Sequence, residues 1–385
     1  YNKKANDESS LSSNRVLSIY EDRFGILWIG TEVGLNKFDI LKQNFNHYFI
    51  DNLSIGGMSS NIIWSIHQDT EDRLWLGTNE GLIQYDRELE TYELYIPNIS
   101  VGGNKKNTSI YDIFVDENQT IWLGTDGGLY QFDERSKRFS HYSFGGQQIS
   151  DRTYHIMQDR NRQLWVSTRN GAYILNATGR ISKHLVAKSE GGPLPGNVVR
   201  ITMQDRSGTF WLGTDDGLVK AKPLNGGRYE YRIFKNIPRN NQSLSNNTVL
   251  SLYEDDENTL WVGTFGGGLN RFDAASNTFR SFTQKDELPN DVIYGILGDS
   301  KQNLWLSTNH GIARFNTQST VVHKFDENDG LQSNEFNVGA YFKNEQGELF
   351  FGGIKGFNSF FPSTIRINDY QPQIIITGLE LFNKK

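Results

Sequence analysis

Residues 16–39 read VLSIYEDRFGILWIGTEVGLNKFD, and this stretch decides the fold. It contains an apolar run, a turn, the pentapeptide LWIGT at Leu27–Thr31, a glycine turn, and a third run that ends in Phe38-Asp39. FNHY, Phe45–Tyr48, follows as a fourth short strand. The pentapeptide returns as LWLGT, IWLGT, LWVST, FWLGT, LWVGT and LWLST, placing Trp28, Trp75, Trp122, Trp165, Trp211, Trp261 and Trp305 at spacings of 47, 47, 43, 46, 50 and 44 residues. Phe350 in LFFGG holds the same place 45 residues further on. A period of this length, four strands per unit, is that of a propeller blade.

Two further residues recur in register. An aspartate lies six positions before each tryptophan, at Asp22, Asp69, Asp116, Asp159, Asp205, Asp255 and Asp299. A short carboxylate there can accept backbone N–H groups of the turn between the first two strands. A glycine after each pentapeptide, as in Glu80-Gly81 and Asn170-Gly171, supplies the positive φ of a tight hairpin. A lone four-stranded sheet cannot cover both of its faces, so such units stack in a ring with the tryptophans between them. Eight units are counted from Asn14 to about Pro362, giving an all-β chain with one β-propeller over residues 1–370. Eight blades, or a seven-bladed ring as the alternative, both accommodate the count.

Composition agrees. Aromatics make up 13% of the 385 residues, with 38 Gly against 8 Pro, a balance suited to many short strands and tight turns. The net charge of -6, without a basic block, argues against nucleic-acid binding. The absence of cysteine excludes disulfides, thiolate catalysis and Cys-ligated zinc. No apolar run reaches the ~18 residues that a membrane-spanning helix needs, so membrane contact is expected only through segments outside this sequence.

SLSSNRVLSIYEDRFGILWIGTEVGLNKFD and SLSNNTVLSLYEDDENTLWVGTFGGGLNRFD, at 10–39 and 243–273, resemble the two-component regulator propeller repeat. In that family the repeat fills the periplasmic sensor region of hybrid two-component systems of gut Bacteroidetes. The resemblance implies a homodimeric inner-membrane receptor that senses oligosaccharides and relays binding to a histidine kinase and a DNA-binding output. Residues 330–362 resemble the unit that closes the second of the family's two propellers, and 371–385 resemble the first strand of its Ig-like, Tyr-rich domain. Family propellers are seven-bladed and paired, so eight units mean either a larger ring or a first unit that belongs with an upstream propeller.

Two variable positions within the repeat map to one face of the ring. The first is Leu17, Trp64, Tyr111, Tyr154, Arg200, Leu250, Tyr294 and Gly339; the second is Glu32, Asn79, Asp126, Arg169, Asp215, Phe265 and Asn309, with His310 beside the last. Sugars need flat aromatic faces for their C–H surfaces and planar polar groups for their hydroxyls, and acidic sugars need arginine. Trp64, Tyr111, Tyr154, Arg169, Arg200, Tyr294 and His310 are therefore the candidate ligand-binding residues. The alternative is that the aromatics merely pack at the channel mouth and the polar residues are turn residues.

Catalytic signatures are missing. The seven histidines, His155 and His310 on the candidate face included, show no metal-ligand spacing such as H-E-x-x-H, and neither a G-x-S-x-G elbow nor a phosphate loop occurs. D-x-x-G-x-L-W resembles the Asp-box of sialidases, whose aspartate supports a turn. No catalytic residue, metal or cofactor is expected, and the reading is a sensor. A polysaccharide lyase or glycoside hydrolase on the same scaffold, or a protein-interaction platform, are the competing readings.

Burial of a tryptophan contributes roughly 1.5–3 kcal/mol, so Trp165→Ala is expected to lower the melting temperature by several degrees. An unchanged thermal melt would remove Trp165 from between the blades.

Overall fold

The computed structural model describes residues 2–3, 10–22, 25–39, 44–50, 61–97, 100–101, 104–105, 109–187 and 192–366. They fall in two units, Phe45–Pro362 and the flanking segments 1–44 and 363–385. The expected Ig-like strand at 371–385 lies outside the described residues.

Within Phe45–Pro362, six consecutive four-stranded antiparallel sheets cover 63–95, 110–141, 153–185, 199–234, 249–282 and 293–325, here blades 1 to 6. A seventh sheet takes three strands from 336–360 and its outermost strand from Asn46–Tyr48. First strands of successive blades lie side by side, and that of blade 7 adjoins that of blade 1, so the circuit closes. The ring thus has seven blades, the second of the two sizes that the repeat count leaves open. FNHY is also reassigned: rather than completing the first repeat, it pairs with Gly356–Phe360 through Phe357↔Tyr48, Asn358↔His47 and Ser359↔Asn46. The first repeat forms a separate three-stranded sheet, 16–39. Its apolar positions Leu17 and Ile19 are 64% and 65% exposed, whereas their counterparts in blade 5, Leu250 and Leu252, are each 5% exposed.

The recurring aspartate has two jobs. In blade 1, Asp69 Oδ1 accepts the backbone N–H groups of Glu71 and Arg73 at 2.9 and 3.0 Å, while Oδ2 accepts the indole N–H of Trp75 at 2.9 Å. The indole bond recurs at 2.9, 3.1, 2.8, 2.8 and 3.0 Å in blades 2 to 6. Each ring plane lies against the next blade: Trp75 is buried among Ile110, Ile113 and Leu123, and Trp165 stacks on Phe210 at 4.1 Å. Blade 7 changes both partners together. Phe350 has no N–H to donate, and Asn344 replaces the aspartate, its Oδ1 still accepting the Glu348 N–H at 2.8 Å. A charge left there without the indole donor would be costly to bury.

A polar lock holds the junction of blades 7 and 1. The Arg87 guanidinium of blade 1 donates to both oxygens of Glu348 at 2.9 Å and to Tyr48 OH at 3.2 Å on the closing strand. Ser359 Oγ donates to Glu348 at 2.5 Å. The strand itself buries Phe45 edge-on against Phe325 and Phe360, with centroids 5.2 and 4.8 Å apart, and stacks Tyr48 on Phe357 at 4.7 Å.

Removing one partner of a buried ion pair leaves the other charge uncompensated, at a cost of about 3–5 kcal/mol. Arg87→Ala is therefore expected to destabilise the ring by about 3 kcal/mol in denaturant titrations. Glu348→Gln paired with Arg87→Met should recover most of that loss.

Candidate functional site

In blades 1 to 6 the first strand carries a register shift just after its first residue. It falls between Ile63 and Ser65, Ile110 and Asp112, Thr153 and His155, Val199 and Ile201, Val249 and Ser251, and Ile293 and Gly295. The bulged residues are Trp64, Tyr111, Tyr154, Arg200, Leu250 and Tyr294, which are the first variable set of the repeat. A bulge takes a side chain out of the pleat and re-aims it. In blades 1 to 4 and 6 that leaves the position partly exposed, while Leu250 of blade 5 stays buried.

The two variable sets meet. Trp64 donates its indole N–H to Asn79, Tyr111 OH donates to Asp126 at 3.1 Å, and Tyr294 OH donates to Asn309 at 2.7 Å. Arg200 donates to both oxygens of Asp215 at 2.7 and 3.0 Å. Each pair joins the bulged residue of a blade to the turn residue after its pentapeptide, fifteen positions on.

Four of the seven expected residues form one continuous surface. Trp64 meets Tyr111 edge-on with centroids 5.6 Å apart, Tyr111 meets Tyr154 at 6.2 Å, and Arg200 lies 4.8 Å over the Tyr154 ring. The chain of contacts runs across blades 1 to 4. Arg169 is exposed on the turn of blade 3, its backbone N–H bonded to Arg152 O at 2.9 Å, and its guanidinium has no ion pair among the described residues. Tyr294 stands with Asn309 on blade 6, two blades from Arg200, and His310 is exposed beside it on the same turn. Neither touches the cluster.

Sequence reasoning missed Arg152. Its guanidinium lies 5.2 Å over Tyr111 and forms an ion pair with Asp126 at 2.5 Å. It precedes the first strand of blade 3, at a position the repeat does not mark, although a basic residue two before a variable aromatic is the available signal. At blade 7, Gly339 takes the bulged position with φ +82°, and a Cβ there would sit 3.2 and 3.4 Å from the carbonyl oxygens of Trp64 and Tyr111. A side chain would crowd the aromatic cluster.

His155 needs correction, because it is not a loop residue of the face. It lies one position past the bulge, on the wall of the central channel, with Nδ1 buried and lacking a hydrogen-bond partner among the described residues. Burial lowers its pKa to about 4. Asp112, the corresponding residue of blade 2, accepts the Ile156 N–H at 2.6 Å, and burial raises its carboxyl to about 7. The Tyr341 phenol of blade 7, near Asp112, is raised by burial first and then by that carboxylate. Among the described residues no group of His, Asp and Glu is arranged to hold a metal ion.

Comparison with known proteins places this geometry. The two-component regulator propeller repeat matches at residues 10–33, 57–80, 104–127, 193–216, 243–266 and 287–310. A histidine kinase of Formosa agariphila is 29% identical over 192 residues, which is 50% of this chain and 14% of that protein. The extracellular domain of a hybrid two-component system of B. thetaiotaomicron superposes with a TM-score of 0.77 at 24% identity, over 94% of this chain and 47% of that one. Virginiamycin B lyase of Staphylococcus aureus superposes with a TM-score of 0.60 at 12% identity, over 82% of this chain and 97% of that one. At these identities the structural likeness is one of fold. The chain spans about half the length of the extracellular domain that it matches.

The two channel groups titrate in opposite directions. Asp112 protonates more readily folded than unfolded, so its contribution falls as pH rises from about 4 to about 7. His155 protonates more readily unfolded, so its contribution rises from about pH 4 to 6.5, by roughly 3 kcal/mol in total. Relative to wild type, Asp112→Asn should therefore gain melting temperature between pH 4.5 and 6.5, and His155→Gln should lose it. Thermal melts across that range check both signs.

Proposed function

Because this chain is built from two-component regulator propeller repeats, we propose that it is the ligand-sensing part of a signalling receptor, with an oligosaccharide as ligand. The observation that carries the reading is the continuous cluster Trp64–Tyr111–Tyr154–Arg200 across four consecutive blades. Its aromatic faces suit the C–H surfaces of sugar rings. Asn79, Asp126 and Asp215, which already hold the cluster, keep acceptor capacity for hydroxyls.

Charge narrows the chemistry. The guanidiniums of Arg152 and Arg200 are neutralised by Asp126 and Asp215, which leaves Arg169 as the cation for a sugar carboxylate or sulfate. Tyr294 and His310 form a second contact point across the channel mouth, reached only by a ligand long enough to span it. The receptor is periplasmic and homodimeric in this reading, and binding is transmitted through segments flanking the ring. The ring itself is not catalytic in this reading. A lyase is the second reading, since virginiamycin B lyase shares the fold.

Calorimetric titration with oligosaccharides from partially hydrolysed polysaccharides is expected to show saturable binding. Trp64→Ala, and Arg169→Ala combined with Arg200→Ala, should each weaken it at least tenfold while the variants stay folded. Retained affinity in both would reject this face. Chromatography of the same mixtures is expected to show no new products, and their appearance would favour the lyase.

A further inference from the structure

Blade 5 carries two arginines directly opposite one another on adjacent strands, Arg271↔Arg280. Like charges in that relation repel and destabilise the pair. Both side chains are exposed. Arg271 lies 5.9 Å over the Trp261 ring and Arg280 4.8 Å over the Phe282 ring, so their stems are held against the sheet. Neither guanidinium has an ion pair among the described residues.

In blade 4 Lys220 stands opposite Arg232 in the same way, whereas blade 1 shows how the next blade can answer such a ladder. In blade 1 the corresponding residues are Gln84 and Glu93. Blade 2 meets them with Glu134, which accepts from Gln84 Nε2 at 3.2 Å, and with Lys137, which pairs with Glu93. The counterparts of Glu134 and Lys137 in blade 6 are Thr317 and Thr320, which carry no charge. Two carboxylates near the blade 5 ladder are engaged already. Asp273 caps its own turn, accepting the N–H groups of Ala275 and Ser276 at 2.8 and 3.3 Å. Glu257 accepts from Gln302 and Gln318 of blade 6 at 3.2 and 2.8 Å.

Both arginines line a groove of about 800 Å³ at the outer edge of blade 5. Its wall also holds the amides and hydroxyl of Asn241, Gln242, Asn258 and Thr259 and the carboxylate of Asp273. The segment that brings Asn241 and Gln242 is fixed to the edge strand by the Phe279 N–H to Gln242 O bond at 2.8 Å. Paired guanidiniums with planar amides and hydroxyls match an oxyanion carried on a polyhydroxylated chain.

We propose that this groove binds the sulfate or carboxylate groups of an acidic saccharide, at a site separate from the channel-mouth cluster. An anion seated between Arg271 and Arg280 supplies the charge that blade 6 omits. The site stands on its own geometry and does not depend on the sensing face being correct.

The full chain is titrated by calorimetry with trigalacturonate and with inorganic sulfate, both against sodium chloride at matched ionic strength. In the Arg169→Ala, Arg200→Ala background, which silences the sensing face, both are expected to bind saturably, and adding Arg271→Gln with Arg280→Gln is expected to weaken each at least tenfold. These exposed substitutions should leave the circular dichroism and thermal melt in chloride unchanged. Arg169→Ala with Arg200→Ala is expected to keep the response, which separates this groove from the sensing face. Absence of saturable binding in that background, or binding retained when Arg271→Gln and Arg280→Gln are added to it, overturns the site. Binding of sulfate without trigalacturonate overturns its assignment to a saccharide.

Discussion

One hydrogen bond organises the blade: the indole N–H of the second-strand tryptophan to a carboxylate in the preceding turn. An indole buried between two sheets brings a donor with it, and an unmet donor there would offset much of what the ring contributes by leaving water. The aspartate meets it with one oxygen and uses the other to pin the turn, as Asp69 does for Glu71, Arg73 and Trp75. Local turn geometry and inter-blade packing thus share one side chain. Neither can vary alone, and at blade 7 Asp and Trp are exchanged together for Asn344 and Phe350.

Close approach between blades follows from the residue two after the tryptophan. A Cβ on Gly77 would lie 2.6 Å from the Ile110 carbonyl oxygen of the next blade. Where that position is serine the hydroxyl fares differently by blade: Ser167 Oγ bonds Thr202 Oγ1 of blade 4 at 2.8 Å, while Ser307 Oγ of blade 6 is buried without a partner among the described residues. The first strands are drawn together around the axis, and the channel wall becomes a place where polar groups lose water. Asp112 and His155 take opposite routes there, both toward neutrality, because desolvation disfavours the charged form of each.

The blade was legible in the sequence because the Asp–Trp pair and the hairpin glycine must recur for physical reasons that act within a single unit. Ring size was not, since the first repeat carries the complete signature, with Trp28 bonded to Asp22 at 2.9 Å, and yet supplies none of the seven blades. What excludes it is the destination of Asn46–Tyr48, a contact with residues more than 300 positions away that no local pattern encodes. The candidate face was legible as positions where a regular repeat becomes irregular. Which of those residues touch was not, because Trp64, Tyr111, Tyr154 and Arg200 meet only through the curvature of the ring. Arg152 escaped notice for lack of a repeat position, and His155 was misplaced by a single residue, enough to move it from the mouth to the wall.

The bulge explains why variation is tolerated where it occurs. Residues on either side of it, such as Ile63 and Ile66, are buried between blades and cannot change size without disturbing a neighbour. The bulged residue has left the pleat, so successive blades can carry Trp, Tyr, Tyr, Arg, Leu and Tyr on one backbone, with only the Leu of blade 5 buried. Their turn partners vary with them: amide against indole, carboxylate against guanidinium. A seven-fold scaffold of this kind separates the residues that hold the ring from those at the bulge, and in blades 1, 2, 4 and 6 it joins the bulged residue to a turn partner of its own.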